Sequence, residues 1–366
     1  MVYKTAGRVE VAPAATPEKK TNFAHAAEEM NRAPEPPSRS PLQTLTPDLI
    51  LTLAEQALGI RCSNLCRPLA SYINRVYELE REDHTGIIVK FYRPGRWSPA
   101  ALQDEHDFLL ELAAQEVPVI PPLRQQDGAT LGSHQGMHFA LFPKCGGRSF
   151  DEYSDDQWLE LGRLLGRTHA VGALHPPRDR IVLSPDRSTR DQAEYILRGD
   201  FIPRELQRSY EQLTETLIAE ASPLFAGAEM VRIHGDCHFA NLIYRPGESF
   251  FLIDFDDMAL GPPVQDFWML LPDYADLAQM EIELFLEGYE TFRAFDHRTL
   301  RLIEPLRAMR FIHYSAWCAH QVAEDGSSPV IPDFGTPHYW QREIKDLTDQ
   351  LARIRSGPKP AGGNIR

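Results

Sequence analysis

The chain has 366 residues and a formal net charge of -14, so it is long enough for one large domain or two smaller ones with a real core. Its acidic balance argues against a broad nucleic-acid-binding face, because such binding depends on Lys and Arg side chains that neutralise phosphates. No apolar run reaches about 20 residues, so we expect no membrane helix, and the start shows no apolar signal-peptide core. The five cysteines include no CxxC pair, which favours a reducing, cytoplasmic setting without a disulfide framework.

Residues 1–40 are rich in Ala, Pro, Glu, Lys and Ser, which predicts a disordered N-terminal extension. Folded structure is expected to begin near residue 41, with a helix that Thr46 caps and Gly59 ends. Strand patterns then follow around a turn within 69–79, over 87–92, and twice more before residue 143, with a helix beginning at Pro99 between them. The sequence therefore predicts a β-rich unit over residues 41–143.

After residue 143 the composition changes and helical patterns dominate. A strong helix is expected over 155–170, where Trp158, Leu161 and Leu164 recur on one face. Residues 173–192 are rich in Pro, Arg and Asp and predict a loop. Helical patterns return over about 203–222, 284–289, 298–323 and 338–355, and residues 356–366 predict a mobile tail. We therefore expect a helical unit over 144–355.

One polar loop between two apolar runs carries the clearest chemical signal. It contains His234, Gly235, Asp236 and Asn241, and Asp254 follows thirteen residues after Asn241, behind a short strand pattern. Phosphoryl transfer needs a carboxylate that steers the proton of the attacking hydroxyl, together with oxygen ligands for Mg²⁺. Asp236, Asn241 and Asp254 can supply this set.

Two other interpretations of the loop remain open from the residues alone. His234 and His238 are four residues apart with Cys237 between them, and on a helix such a pair can share a zinc ion. Asp and Asn side chains in loops can also bond their own backbone as plain turns. Against zinc, the flanking strand patterns favour a loop, and Asn241 and Asp254 would then have no role.

The ordered His-Gly-Asp, Asn and Ile-Asp-Phe series resembles the catalytic and metal-binding loops of the protein-kinase-like phosphotransferases, which include aminoglycoside, choline and homoserine kinases. Residues 71–77, 89–97, 234–238 and 256–271 more closely resemble the stress response kinase A family, over about 42–353. The resemblance implies an α+β, bilobal, protein-kinase-like fold, with a small β-rich N-lobe (41–143) and a larger, mostly helical C-lobe (144–355). It also implies a cytoplasmic serine/threonine protein kinase that uses ATP and Mg²⁺ in the bacterial response to envelope and oxidative stress.

Site roles also follow from this resemblance. Asp236 is similar to the catalytic base, Asp254 to the second catalytic carboxylate, and Asn241 and Asp254 to the Mg²⁺ ligands. Lys90 is similar to the lysine that meets the ATP phosphates, and Glu105 to its ion-pair partner. The remaining expected ATP contacts lie in the loop over the phosphates and beside the adenine: Ser71, Asn74, Arg75, Phe139 and Phe142.

The chain also departs from ordinary protein kinases. The Gly-rich phosphate loop is replaced by residues 71–75, and Asp256 stands where a glycine usually follows the Phe. No activation-loop phosphosite with an Ala-Pro-Glu end is visible, so we expect no switching by loop phosphorylation. Asp266 is implied to bond the backbone of the catalytic loop, as a structural residue.

The acceptor is the least constrained part of the prediction. His238, Arg310 and His313 are expected on the substrate side, and Arg and His there disfavour a cationic acceptor. We expect a protein Ser or Thr, with autophosphorylation as one form; the alternative is a small-molecule kinase that acts on an amino alcohol or sugar. The complete set of catalytic residues disfavours a non-catalytic binding protein. A monomer with neither nucleic-acid nor membrane partners is expected.

Overall fold

The computed structural model describes residues 41–150 and 152–357, so the predicted N-terminal extension and most of the predicted tail lie outside the described residues. The protein has the predicted α+β, bilobal architecture. Its smaller lobe is built on an antiparallel sheet in the order β1-β2-β3-β5-β4. The strands are β1 (Cys62–Leu69), β2 (Arg75–Arg81), β3 (Gly86–Phe91), β4 (Gly132–His134) and β5 (Met137–Pro143).

Helix α1 (Pro47–Leu58) covers one face of this sheet. As predicted, the Thr46 hydroxyl accepts a hydrogen bond from the first turn, and Gly59 ends the helix in the left-handed region. Apolar residues of α1 pack with alternate residues of β3 and β5, including Phe91 and Phe139. Since successive strand residues point to opposite faces, Lys90 lies on the other face, toward helix α2 (Pro99–Ala114).

The larger lobe is mostly helical. Its helices are α3 (Asp155–Gly172), α4 (Arg190–Arg198), α5 (Arg204–Ala221), α6 (Val264–Trp268), α7 (Gln279–Glu290), α8 (Ile303–Asp325) and α9 (Pro337–Ser356). Helices α3 and α7 approach closely, because a Cβ at Gly162 would lie 2.0 Å from the Phe285 carbonyl oxygen. The described residues include no helix that is both long and apolar enough to cross a membrane.

The loop predicted over 173–192 is only partly correct. A π-type turn begins at Pro185, and α4 follows from Arg190. Helix α4 buries only Ala193 and Ile196 fully, in a core shared with α5, α8 and α9. So short an apolar stripe is easily hidden by the surrounding Arg and Asp residues, which explains why the pattern indicated a loop.

Two short strand pairs carry the polar loops. Strand β6 (Val231–Ile233) pairs with β9 (Ala259–Gly261), and β7 (Leu242–Tyr244) pairs with β8 (Phe250–Leu252), both antiparallel. The large-lobe core lies beneath them and includes Leu242, Leu252 and Phe255. These pairs bring residues 234–241 and 253–257 together below the sheet of the smaller lobe.

Candidate active site

The loop after β6 has a backbone shape that requires glycine. Gly235 has φ +85°, and a Cβ there would lie 2.1 Å from the carbonyl oxygen of Asp257. A side chain would therefore face both left-handed strain and overlap with backbone. Gly235 lets the Asp236 loop lie directly against the segment after Asp254.

Asp266, at the start of α6, holds this loop from below. Its fully buried carboxylate accepts hydrogen bonds from the backbone N–H groups of His234 (2.7 Å) and Gly235 (2.8 Å). This is the contact that the resemblance implied. The sequence reasoning missed a further partner, His169 of α3, whose Nε2 lies 3.0 Å from Asp266 Oδ2. Three donors on one buried carboxylate fix the position of the loop.

His234 packs the loop from inside. Its Nδ1 accepts from the Asp236 N–H (3.3 Å), and its Nε2 lies 2.8 Å from the Ile253 carbonyl oxygen. Both ring nitrogens are thus engaged, so His234 cannot join His238 around a zinc ion without breaking the loop. Within the described ranges, no group of three or more His, Cys, Asp or Glu side chains is arranged to hold a metal ion.

Asn241 and Asp254 meet across the β7–β8 pair. The Ile253 N–H donates to the Asn241 carbonyl oxygen (3.1 Å), which places Asn241 beside the residue before Asp254. The Asn241 amide nitrogen donates to the Asp236 carbonyl oxygen (3.0 Å), so its amide oxygen points away from that bond. Asp254 has φ +60°, a conformation that Asp adopts more readily than most residues, and its side chain is 53% exposed. Asn241 and Asp254 are therefore neighbours across this strand pair, and each carries a side-chain oxygen of the kind that could hold a metal ion.

Lys90 reaches this pair from the smaller lobe. Its Nζ donates to Asp254 Oδ1 at 3.0 Å and also lies 3.2 Å from Asp256 and 3.7 Å from Glu105. Burial acts to lower the pKa of Lys90, but the three carboxylates raise it well above its usual range. Lys90 thus stays an ammonium ion in a buried position. The structure brings together Lys90 and Glu105, as the sequence predicted, and adds Asp256.

Two arginines complete the acidic cluster and were missed from the sequence. Arg96 pairs with Asp256 and, at 2.6 Å, with Asp257. Arg180 donates to Glu105 at 2.8 Å and to the Asp256 carbonyl oxygen at 2.6 Å. Although burial acts to raise the pKa of Asp256, Arg96 and Lys90 hold it well below the usual range. The one sequence signal for these arginines is Asp256 itself, because an acid in place of the usual glycine requires a nearby cation if it is buried.

The turn between β1 and β2 agrees only in part with its predicted role. Ser71 is half-buried within it, and its predicted phosphate contact stays a prediction. Asn74 is buried, and its Oδ1 accepts from the Arg93 N–H at 3.1 Å, so its side chain supports the turn. Arg75 pairs with Phe91 in register, whereas the next residue pairs with Lys90. Arg75 therefore points to the α1 side of the sheet, away from Lys90, and its predicted contact with ATP is corrected.

The two phenylalanines predicted beside the adenine lie on opposite faces of β5. Phe139 pairs with Phe91, and their rings lie 5.5 Å apart in the core under α1. Phe142 pairs with Ile88 and so shares the face of Lys90. Phe142 can therefore face the cleft. Phe139 cannot contact the adenine as predicted, because strand alternation turns its side chain into the core under α1.

The acceptor side of the cleft lies against α8. Arg310 Nη2 is 2.7 Å from Asp236 Oδ1, and His238 Nε2 is 3.4 Å from Asp236 Oδ2. Burial acts to raise the pKa of Asp236, but Arg310 and then His238 hold it well below its ordinary range. The carboxylate therefore stays ionised, as a proton acceptor must.

His313, one helical turn from Arg310, also faces this side. Its Nδ1 lies 2.6 Å from the Gln192 amide nitrogen, which fits a hydrogen bond to an unprotonated ring nitrogen. Burial and the charge of Arg310 lower the pKa of His313 to about 4. A partly open pocket runs between Gly235, Asp257 and these α8 residues, with Ile181 and Leu183 as an apolar wall. The sequence-predicted substrate residues are thus brought together beside Asp236.

Comparisons with known proteins identify the family of this chain. The model of the phosphotransferase enzyme family matches residues 65–303. Stress response kinase A of Escherichia coli is 38% identical over 324 residues, which cover 86% of this chain and 95% of that protein. Serine/threonine protein kinase RdoA of Salmonella typhimurium is 38% identical over 325 residues, with the same coverage of both chains.

Solved structures share the fold at much lower identity. Amicoumacin kinase hAmiN, solved with AMP-PNP, Ca²⁺ and Ami, gives a TM-score of 0.67 at 18% identity and covers 83% of this chain and 93% of its own. The microcompartment-associated aminopropanol kinase gives 0.62 at 18% identity, with 84% and 96% covered. At this identity the likeness shows a common fold alone.

Proposed function

This chain belongs to the phosphotransferase enzyme family and to the stress response kinase A family, and we propose that it transfers the γ-phosphoryl group of ATP to a Ser or Thr hydroxyl of a protein, with Mg²⁺. The family membership predicted from the sequence is confirmed, and the chain is a phosphotransferase. One observation carries the proposal: Lys90 of the smaller lobe donates to Asp254 of the larger lobe at 3.0 Å. A cation suited to phosphate and a carboxylate suited to a metal ion thus meet next to the Asp236 loop.

The donor chemistry beside Lys90 fits Mg²⁺. Asn241 and Asp254 offer one amide oxygen and one carboxylate, and the amide nitrogen of Asn241 is already used by the Asp236 carbonyl. Mg²⁺ prefers oxygen ligands and is commonly held by one or two side chains together with substrate phosphates and water. When bound, it neutralises the charge that develops on the phosphate oxygens during transfer.

Each protein group has a task that its surroundings support. Lys90 keeps Glu105 and Asp256 as partners and exchanges Asp254 for a phosphate oxygen when nucleotide enters. Asp236 accepts the proton of the acceptor hydroxyl, since its depressed pKa keeps it ionised. Asp266 holds the Asp236 loop rigid, which matters because phosphoryl transfer depends chiefly on position and charge.

A protein acceptor is favoured over a cationic small molecule. The pocket beside Asp236 is bordered by Arg310 and His313 as well as by Asp257, so it lacks the purely acidic lining that would favour the ammonium of an amino alcohol. The relative RdoA, at 38% identity, is named a serine/threonine protein kinase. By the same reasoning we propose a cytoplasmic role in the bacterial stress response, with autophosphorylation as a side reaction.

A labelled-phosphate assay tests the proposal. The purified chain is incubated with γ-labelled ATP and Mg²⁺, alone, with a basic Ser- and Thr-containing test protein, or with aminopropanol, choline and a simple sugar. We expect label on protein as phosphoserine or phosphothreonine, lost in Asp236→Asn but kept in the exposed control Asp156→Asn. Label that moves only to a small molecule would favour the alternative kinase. Label that moves to no acceptor, nor to water, would refute the enzyme proposal.

The cellular substrate calls for a separate measurement. Phosphoproteomes of cells with the wild-type chain and with Asp236→Asn should differ at a small set of Ser or Thr sites under stress. Identical phosphoproteomes would contradict a protein-kinase role in the cell.

A further inference from the structure

The segment between α3 and the turn at Pro185 crosses back to α2 and binds it with its backbone. The N–H groups of Arg178 and Asp179 donate to the Asp104 carboxylate at 2.8 and 2.7 Å. The Asp179 carboxylate in turn accepts from Ser98, which caps the start of α2. A segment of the larger lobe therefore fixes the helix that carries Glu105.

Arg180 lies at the centre of this attachment. Its side chain is fully buried, its Nε donates to the Ala101 carbonyl oxygen at 2.8 Å, and its Nη2 donates to Glu105 at 2.8 Å. Its Nη1 donates to the Asp256 carbonyl oxygen at 2.6 Å, and the guanidinium stacks on Trp97 at 4.3 Å. One planar cation thus joins α2 to the loop that carries Asp254, in the fork geometry that only Arg provides.

Glu105 is divided between two cations as a result. Its Oε2 binds Arg180 at 2.8 Å, whereas its Oε1 lies 3.7 Å from Lys90. The closer partner of Glu105 is therefore the arginine of the larger lobe, and one carboxylate links that arginine to Lys90. In protein kinases this Lys–Glu pair forms only when the helix is correctly placed, which activation-loop phosphorylation commonly controls.

The described residues between Asp257 and α6 leave no room for an activation loop. Only residues 258–263 separate the turn that ends at Asp257 from α6. Met258 and Ala259 are buried, and 259–261 form β9, which pairs with β6. A segment so short and so well paired cannot swing between ordered and disordered states.

We propose that Arg180 is a positioning residue that takes the place of activation-loop control, by holding Glu105 and the Asp254 loop in the phosphate-binding arrangement. The inference rests on the proposed kinase function. The enzyme is then competent as synthesised, and no phosphoryl group on the chain is needed before its first turnover. Nucleotide binding, and with it transfer, depends on a contact that lies outside the nucleotide site.

Nucleotide affinity and turnover measured separately test this role. Arg180→Met removes the donors and keeps the length, so we expect the Kd for ATP with Mg²⁺ to rise at least about tenfold and turnover to fall about a hundredfold. Arg180→Lys should restore part of the affinity. Arg178→Met, on the same segment, removes a largely exposed side chain whose guanidinium pairs with Asp104 and Asp107 of α2, and it should leave both quantities within about twofold. Equal losses in Arg178→Met and Arg180→Met would overturn the proposal.

A double-mutant cycle separates positioning from simple stabilisation. If Arg180 acts through Glu105, the effects of Arg180→Met and Glu105→Gln on ATP affinity should be strongly non-additive. Additive effects would overturn the proposal. The same cycle is measured with Arg180→Lys in place of Arg180→Met, so the test remains possible if the Met variant does not fold.

Phosphatase treatment tests the second consequence. Chain dephosphorylated to completion should show the same initial rate as untreated chain, without a lag, and a lag that autophosphorylation removes would overturn the proposal. Nucleotide affinity needs no acceptor, so Arg180 is tested even if the proposed protein-kinase activity fails. Normal affinity in Arg180→Met with full transfer in the wild type would refute only the inference about Arg180.

Discussion

Arg310 places its guanidinium 2.7 Å from the carboxylate of Asp236, the proposed base. This ion pair keeps the proposed base ionised and lies beside the pocket proposed for the acceptor. Since Arg310 holds the pKa of Asp236 well below its ordinary range, the acid limb of kcat/KM should lie at unusually low pH. In Arg310→Met the pKa rises toward the ordinary value of about 3.9 and beyond it through burial, so the acid limb should move to higher pH. A pH–rate profile measures this shift.

Arg310→Lys is the matched control, because it keeps the charge and should keep most of the low acid limb. Stability gives an independent check. A carboxylate with a depressed native pKa contributes stability that is complete above about pH 4 and is lost as pH falls toward the native value. The stability difference between wild type and Arg310→Met should thus be present at pH 7 and shrink as the pH falls through the raised native pKa of Asp236 in the variant. An acid limb that does not move would show that Arg310 does not set the charge of Asp236.

Gly235 provides a test of the catalytic-loop backbone. Gly235→Ala places a Cβ 2.1 Å from the Asp257 carbonyl oxygen at φ +85°, so we expect a loss of at least about 3 kcal/mol in unfolding free energy and a severe loss of transfer. Gly128→Ala is the control, since Gly128 has φ +86° but open space around it. It should cost only about 1–2 kcal/mol from left-handed strain. If urea unfolding gives equal losses of unfolding free energy for Gly235→Ala and Gly128→Ala, the overlap with the Asp257 carbonyl oxygen does not contribute.

The parts of the fold that local signals encode were predicted from the sequence, and the parts set by packing between lobes were not. Thr46 and Gly59 mark the ends of α1 through cap chemistry that needs no tertiary contact. Phe139 was assigned to the wrong face because the strand pattern has apolar residues on both sides. Only the pairing of Phe139 with Phe91 shows which side meets α1.

The same limit applies to the charges of the site. Lys90 and Glu105 are predicted as a pair because their segments resemble those of the family, but Arg180 lies in an Arg-rich loop that has no pattern of its own. Its role depends on three partners that are 75 to 79 positions away in sequence. A sequence alone does not show which of several arginines in a loop is the buried one.

Asp266 should be required for both stability and transfer. Its buried carboxylate accepts from His234, Gly235 and His169, so Asp266→Ala leaves three donors without an acceptor and should cost about 3–5 kcal/mol. Asp266→Asn retains one acceptor oxygen but turns an amide N–H toward a donor. Its free energy of unfolding should therefore lie between those of the wild type and Asp266→Ala. Urea unfolding and turnover measure these losses, with Asp156→Asn as the exposed control. A loss of less than about 1 kcal/mol in Asp266→Ala would be incompatible with these contacts.

Asp254 tests the metal assignment without disturbing the backbone. Asn tolerates the left-handed conformation, so Asp254→Asn should keep the turn at φ +60° while it removes the negative charge. In the wild type, ATP with Mg²⁺ should raise Tm more than ATP alone, because the metal bridges protein and phosphates. In Asp254→Asn this Mg²⁺-dependent increment should disappear, corresponding to at least about a tenfold loss of affinity. Asp156→Asn should retain the full increment, and Zn²⁺ without nucleotide should cause no shift in either variant. An increment that survives in Asp254→Asn would place the metal ligand elsewhere, whereas a shift with Zn²⁺ alone would revive the histidine site.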